Sequence, residues 1–204
     1  MNERFACLLI GYLLGSFLTA ELVARVKLRT HAFNVGTGNP GMANIGALLG
    51  TRWALVVLMG DAAKTVAACL LASCVIAPDL GRLAILYAGL GAVLGHDFPL
   101  WTRFRGGKGV AVMCVLVVLF DPVQGGLALA GGLAIVAVSK YLCYGAVAIP
   151  AIFCVCAGVS HGFGEILAVS LALLFLAVLK HGVPCWRAMH HREPRASLFD
   201  HRKP

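Results

Sequence analysis

The stretch Gly36-Thr37-Gly38-Asn39-Pro40-Gly41 decides how the rest of this chain is read. It has the spacing G-x-G-x-x-G, and Asp61 follows about twenty residues later, which is the written form of a dinucleotide-binding fingerprint. That fingerprint works only between a strand and a helix of a soluble βαβ unit. Here an apolar run over residues 5–26, ending in Arg25, Lys27 and Arg29, precedes the glycines, and Pro40 stands inside them. The nucleotide reading fails on that context. Two readings survive: a tight turn at a membrane interface, or a turn that enters a helix and offers backbone N–H groups and a positive helix end to a phosphate.

Composition supports the membrane setting. Of 204 residues, 60% are hydrophobic and 13% charged, and the mean hydropathy is +0.87, values far from those of soluble domains. The 24 glycines suit close helix packing and re-entrant turns in lipid. No Ser- or Pro-rich linker divides the chain, so residues 1–204 read as one multi-pass domain. The formal charge of +8 does not point to nucleic acid, because the basic residues sit in short clusters between apolar runs, the positive-inside pattern. The eight cysteines include no C-x-x-C pair, and Cys7, Cys69, Cys74, Cys114 and Cys154 lie within apolar stretches. They read as small buried hydrophobes rather than as a disulfide or zinc framework. Glu21 near the end of the first run, with no small-residue cleavage site after it, argues for a retained span rather than a cleaved leader.

Candidate crossings cover residues 5–26, 53–77, 83–95, 110–120, 127–138, 146–159 and 166–179. Several are shorter than the roughly 20 residues a full crossing takes, so they must borrow from adjoining polar segments. Residues 42–49 read as a partial helix. Loops carrying Arg25/Lys27/Arg29, Arg103/Arg105/Lys108 and Lys140, and the tail from Lys180 to Lys203, are basic, while residues 78–82, 121–124 and 161–165 are neutral or mildly acidic. Seven crossings with the N-terminus outside and the C-terminus inside put every basic segment on one face. The expected fold is an all-α integral membrane bundle of seven transmembrane helices, some short or broken, with its motif loops and the tail 187–204 on the cytoplasmic face. Polar, glycine-rich sequence from four parts of the chain falls on that face, which suggests one composite site.

The longest of these segments runs GHDFPLWTRFRGGKGVA from Gly95 to Ala111. A lysine held between glycines, with arginines just before it, suits an anion: Gly106, Gly107 and Gly109 let a phosphate approach the backbone while Lys108 and Arg103 supply charge. Thr102 and Gly109 depart from a Walker A loop. For the arginines alone a positive-inside anchor is an equal explanation. His96, where an apolar helix ends, is either a hydrogen-bonded structural residue or a proton acceptor near neutral pH. Asp61 and Lys64 lie three positions apart in an apolar run and so share a helical face. Mutual neutralisation and a catalytic role are both open to them.

With these residues in view, the chain resembles the PlsY family of bacterial membrane acyltransferases from end to end. Gly15-Ser16 in the first helix, the glycine-rich first motif, Asp61-x-x-Lys64, the nearly complete middle motif with Trp101 in place of a phenylalanine, and a third motif after the last helix carry the likeness. The resemblance implies acyl transfer from acyl phosphate to the 1-hydroxyl of glycerol 3-phosphate, giving 1-acylglycerol 3-phosphate and phosphate, the first acylation of phospholipid synthesis. It implies a place in the bacterial inner membrane, substrates in contact with the bilayer, and neither cofactor nor metal. It assigns His96, Lys108, Thr37 and Asn39 to catalysis. Gly38, Gly41, Asn44, Arg103, Gly106, Gly107, Gly109, His181, Arg187 and Glu193 would hold phosphate or acceptor, with Asp61, Lys64 and Cys143 in support.

The sequence departs from the family pattern in its first and third motifs. His31, Phe33 and Ala47 replace an aspartate and two arginines, Met42-Ala43 replaces Ala-Thr, and Thr37 and Cys143 replace serines. In the tail, Gly182 and Pro184 replace an arginine and an asparagine. A divergent or inactive paralogue acylating another small polar acceptor is the alternative these changes raise. A small transporter would also account for short helices and intramembrane charge, but it calls for internal repeats, and none is evident.

Overall fold

The computed structural model of the chain describes residues 3–195, so the end of the basic tail, 196–204, lies outside the described residues. Helices make up the fold, with two longer loops over residues 29–41 and 98–109 and no strand among the described residues. They fall into two compact units, Met1–Phe120 and Asp121–Pro204.

In the first unit the opening apolar run is broken. Helix α1 (Glu3–Gly15) stops, and α2 (Thr19–Leu28) starts afresh after Ser16–Leu18, where the sequence alone reads one continuous span. A competitor for the backbone sits at the break. The Tyr12 carbonyl still accepts the Ser16 N–H at 2.9 Å and takes Ser16 Oγ as well at 2.6 Å, but the Phe17 carbonyl is taken by the Lys64 ammonium at 2.6 Å and does not carry the helix onward. The expected partial helix is α3 (Met42–Leu49), turned by Gly50 at φ 85° into α4 (Thr51–Leu71). Helices α5 (Arg82–Asp97) and α6 (Val110–Phe120) complete the unit.

Small residues bring α1 and α5 together. Gly11 and Gly15 lie against Ala88 and Ala92, while Gly91 and Gly95 lie against Leu8 and Tyr12, so closely that a Cβ on any of the four glycines would overlap the facing backbone. Small residues spaced four apart on both helices make that approach possible in lipid, where helix pairs are held by packing rather than by water. Where α1 and α5 end together, the Tyr12 hydroxyl donates to the Phe98 carbonyl at 2.8 Å, and Trp101 Nε1 donates to the Ser16 carbonyl at 2.9 Å.

A buried ionic pair fastens α4 to the α1–α2 break, to α2 and to α5. Asp61 and Lys64 are 2% and 8% exposed, with Lys64 Nζ 2.9 Å from Asp61 Oδ1. Thr19 Oγ1 donates to the same carboxylate oxygen at 3.2 Å. The spacing that placed both residues on one helical face thus closes a pair directed into the unit, and Lys64 reaches α5 as well, 2.8 Å from His96 Nδ1.

The second unit holds α7 (Pro122–Ser139), α8 (Leu142–His161) and α9 (Glu165–Met189). Asp121 caps α7, its Oδ1 accepting from the Val123 and Gln124 N–H groups at 3.0 and 2.9 Å, with Pro122 at the first helical position. Gly132 and Gly145 let α7 and α8 approach, each glycine beside the other's backbone. Among the described residues, six segments are long and apolar enough to cross a bilayer, Glu3–Leu28, Thr51–Ile76, Arg82–Thr102, Pro122–Ser139, Leu142–His161 and Glu165–Met189, and the shorter apolar α6 accounts for the remaining run. Flanking polar residues lengthen the apolar runs, and large apolar side chains such as Met59, Val75, Val138 and Phe175 remain uncovered by protein, as lipid-facing positions do. The chain is a multi-pass membrane protein.

Two stability outcomes are expected. Asp61→Leu leaves the Lys64 ammonium buried without its counter-ion and lowers stability by about 3–5 kcal/mol, whereas Asp61→Leu with Lys64→Met recovers most of the loss; thermal unfolding in detergent micelles compares the two. Gly91→Val forces α1 from α5 and costs about 1–3 kcal/mol. By contrast, Gly126→Ala, whose Cβ meets nothing within 4 Å, leaves the unfolding midpoint at or slightly above that of the parent.

Candidate functional site

The loop before α3 is folded by two buried side chains. Glu21, 8% exposed on α2, accepts from the Ala32 N–H at 2.8 Å on Oε2; Arg25 Nε and His31 Nδ1 lie 2.7 and 2.6 Å from Oε1. Asn44, 3% exposed in the first turn of α3, clips the other end. Its Oδ1 accepts from the Thr37 N–H at 2.8 Å, and its Nδ2 donates to the carbonyls of Val35 at 3.0 Å and Ala32 at 3.5 Å. Gly36 and Gly38 sit at φ 57° and 70°, a region glycine enters without steric cost, and a Cβ on Gly36 would overlap Asn44 Oδ1. The loop thus turns its Thr37 side chain outward, holds Asn39 half-buried, and delivers Gly41 to the start of α3.

The second loop wraps the end of α5. His96 lies within the last turn of that helix, which runs on to Asp97, rather than opening the loop as the sequence suggests. The Gly107 N–H donates to the His96 carbonyl at 2.9 Å, and a Cβ on Gly107 would overlap His96 Nε2. Gly106 packs on the same carbonyl, and Gly109, at φ 65°, lies beside the Asp97 carboxylate. Arg103 and Phe104 take left-handed backbone at φ 55° and 60°, a conformation costly for side-chain-bearing residues and concentrated at functional loops. Arg103 is exposed, and Lys108, between Gly107 and Gly109, is half-buried.

These two loops meet. The Arg105 guanidinium lies 5.6 Å from the centre of the Phe33 ring, a cation–π contact from the second loop to the first. The first unit therefore gathers Phe33 and the Gly36–Gly41 turn, the glycine–lysine loop, His96, and the Asp61–Lys64 pair behind it. A half-buried lysine beside exposed arginines is the chemistry that suits an anion with several oxygens.

A second polar cluster belongs to the other unit. Ser139 Oγ accepts from the Tyr141 N–H at 3.3 Å, Tyr141 Oη is 3.4 Å from His191 Nδ1, and the Tyr144 hydroxyl donates to the Cys185 carbonyl at 3.5 Å. Cys143 is buried among them. His181 is buried, Glu193 half-buried and Arg187 exposed. Residues 181–188, expected after the last helix, lie inside α9, which runs on to Met189. Leu173, Ala177, His181 and Ala188 continue one buried face, and that packing carries the helix through Gly182 and Pro184 against their local preference.

Sequence reading missed Glu21, Tyr12, Trp101 and Tyr141 as organising residues. For Glu21 a signal was present, since a lone carboxylate in an apolar run must find partners. The others are ordinary interfacial aromatics until their hydrogen bonds are seen.

Comparison with known proteins identifies the family and the fold. The family model for glycerol-3-phosphate acyltransferase matches residues 5–191. Glycerol-3-phosphate acyltransferase 1 of Lactobacillus johnsonii is 44% identical over 140 residues, covering 69% of this chain and 67% of its own. The glycerol-3-phosphate acyltransferase of Desulforudis audaxviator is 34% identical over 208 residues, covering 97% and 99%. Two crystal structures of PlsY, an integral membrane glycerol 3-phosphate acyltransferase, in its glycerol 3-phosphate and lysophosphatidic acid forms, superpose with TM-scores of 0.81 and 0.80 at 26% identity over 94% of each chain. Matched along nearly its whole length by the family model and sharing the fold of these structures, the chain belongs to the glycerol-3-phosphate acyltransferase family.

Proposed function

We propose that this protein transfers an acyl chain from acyl phosphate to the 1-hydroxyl of glycerol 3-phosphate, releasing 1-acylglycerol 3-phosphate and inorganic phosphate. The observation that carries the reading is the packing of the Gly106–Gly107 turn directly on His96, with Lys108 next in the chain and Arg105 reaching the first loop. In the reaction the hydroxyl oxygen bonds to the acyl carbon, the bond from that carbon to the phosphate oxygen breaks, and the hydroxyl proton ends on the departing phosphate. Charge builds on that phosphate as it leaves, and Lys108 supplies a fixed positive donor where it builds. On this reading Arg103, Thr37, Asn39 and Gly41 hold the acceptor and its phosphate.

Phe33 and Ala47 take the places of arginines in the family pattern, and Arg105 over Phe33 returns a guanidinium to that loop from the neighbouring one. This contact favours a phosphate-bearing acceptor over a neutral one. Positive-inside loops support the same reading of location: one continuous membrane domain in the bacterial inner membrane, its N-terminus outside and its motif loops on the cytoplasmic face. The reaction opens phospholipid synthesis without coenzyme A.

Phosphate release by the purified protein, measured with palmitoyl phosphate in the presence and absence of glycerol 3-phosphate and beside palmitoyl-CoA as donor, tests the assignment. Release that requires palmitoyl phosphate and rises with glycerol 3-phosphate is expected; none under any pairing would refute it. Lys108→Ala is expected to lower turnover about 100-fold or more, the cost of removing one transition-state donor. Arg105→Gln is expected to raise the KM for glycerol 3-phosphate about tenfold, equivalent to about 1.4 kcal/mol of acceptor binding, with a smaller change in kcat.

A further inference from the structure

Behind the glycine loop the Lys64 ammonium has three acceptors in reach: the Phe17 carbonyl at 2.6 Å, His96 Nδ1 at 2.8 Å and Asp61 Oδ1 at 2.9 Å. Three is also the number of protons an ammonium donates, and it accepts none. A carbonyl can only accept, so one proton is committed to Phe17. The Asp61 carboxylate, which also takes the Thr19 hydroxyl proton at 3.2 Å, takes the second at 2.9 Å. The third faces His96 Nδ1, which must then offer a lone pair. On a neutral imidazole with a bare Nδ1 the proton is on Nε2, and Nε2 lies against Gly107, where no side chain would fit.

We propose that Asp61 and Lys64 are positioning residues that hold His96 as the neutral tautomer with its proton on Nε2, directed at the Gly106–Gly107 turn. His96 is then a fixed hydrogen-bond donor on the side that faces the loop, and its other nitrogen is withdrawn from proton exchange by an ammonium. A second proton on the ring would have to sit on Nδ1, facing the Lys64 charge. The charged groups around the ring are Asp61 and Lys64 from α4, Asp97 beside it on α5, and Lys108 following Gly107. The role of such a donor in acyl transfer rests on the proposed function; the tautomer itself does not.

The test reads protonation rather than turnover. Protein labelled with 15N-histidine, in micelles or bilayers, gives imidazole nitrogen signals for its seven histidines, and the pair lost in His96→Gln identifies this one. The expected wild-type result near neutral pH is a protonated Nε2 and a bare Nδ1. In Asp61→Leu with Lys64→Met, which removes both charges together, the ring is expected to show mixed tautomers. A wild-type ring protonated on Nδ1, or a double variant with unchanged nitrogen signals, would each overturn the proposal. A protein that shows the fixed tautomer yet transfers no acyl group would refute the proposed function and leave this inference standing.

Discussion

An ammonium group at membrane depth has to be neutralised and hydrogen-bonded within the protein, because lipid offers neither charge nor acceptors. Lys64 meets that requirement by drawing on three places in the chain at once: a carboxylate one turn away on its own helix, a carbonyl released by the break between α1 and α2, and an imidazole at the end of α5. The requirement explains features that look unrelated. The first span is broken where its carbonyl is needed, Gly60 gives Thr19 room beside the carboxylate, and His96 is held in the last helical turn rather than in the loop. Satisfying one buried cation therefore sets the position of the residue around which the anion loop is wrapped.

Much of the architecture could be read without coordinates, since lipid makes the rules simple. The apolar runs mark the spans, the short ones extend into their polar flanks, and residues 42–49 read correctly as a partial helix. Asp61 and Lys64 were recognisable as one face of one helix because their spacing alone requires it. Where the reading stopped was at bonds between residues distant in sequence. Nothing in the periodicity of residues 5–26 shows that Phe17 gives its carbonyl to a lysine 47 positions on, so the break was invisible. Similarly, helix signals at Gly182 and Pro184 are local, while the packed face that overrides them is not.

The candidate site shows the same division. Glycine spacing identified both loops, and the lysine between glycines stood out for its chemistry. Asn44 also stood out, yet its side chain is spent on the loop's own backbone, a task no motif pattern distinguishes from ligand binding. Glu21 performs the matching task at the other end of that loop, although the sequence offered it only as the end of an apolar run. Motif residues that shape a loop and motif residues that suit a ligand look alike in the sequence, and the hydrogen-bond partners separate them.

The close contact of α1 with α5 also carries a consequence for how the protein is made. Tyr12 and Phe98, joined by a hydrogen bond, are 86 residues apart in the chain, with α2, α3 and α4 synthesised between them. Chains emerge N-terminus first, so the first helix enters the membrane without the partner whose backbone its glycines are shaped to meet. Until residue 98 has been added, Gly11 and Gly15 face lipid or the insertion machinery, and Lys64 lacks its imidazole. Each nascent copy thus passes through a stage in which a charged lysine and a bare glycine stripe are already in place and their partner has not yet arrived.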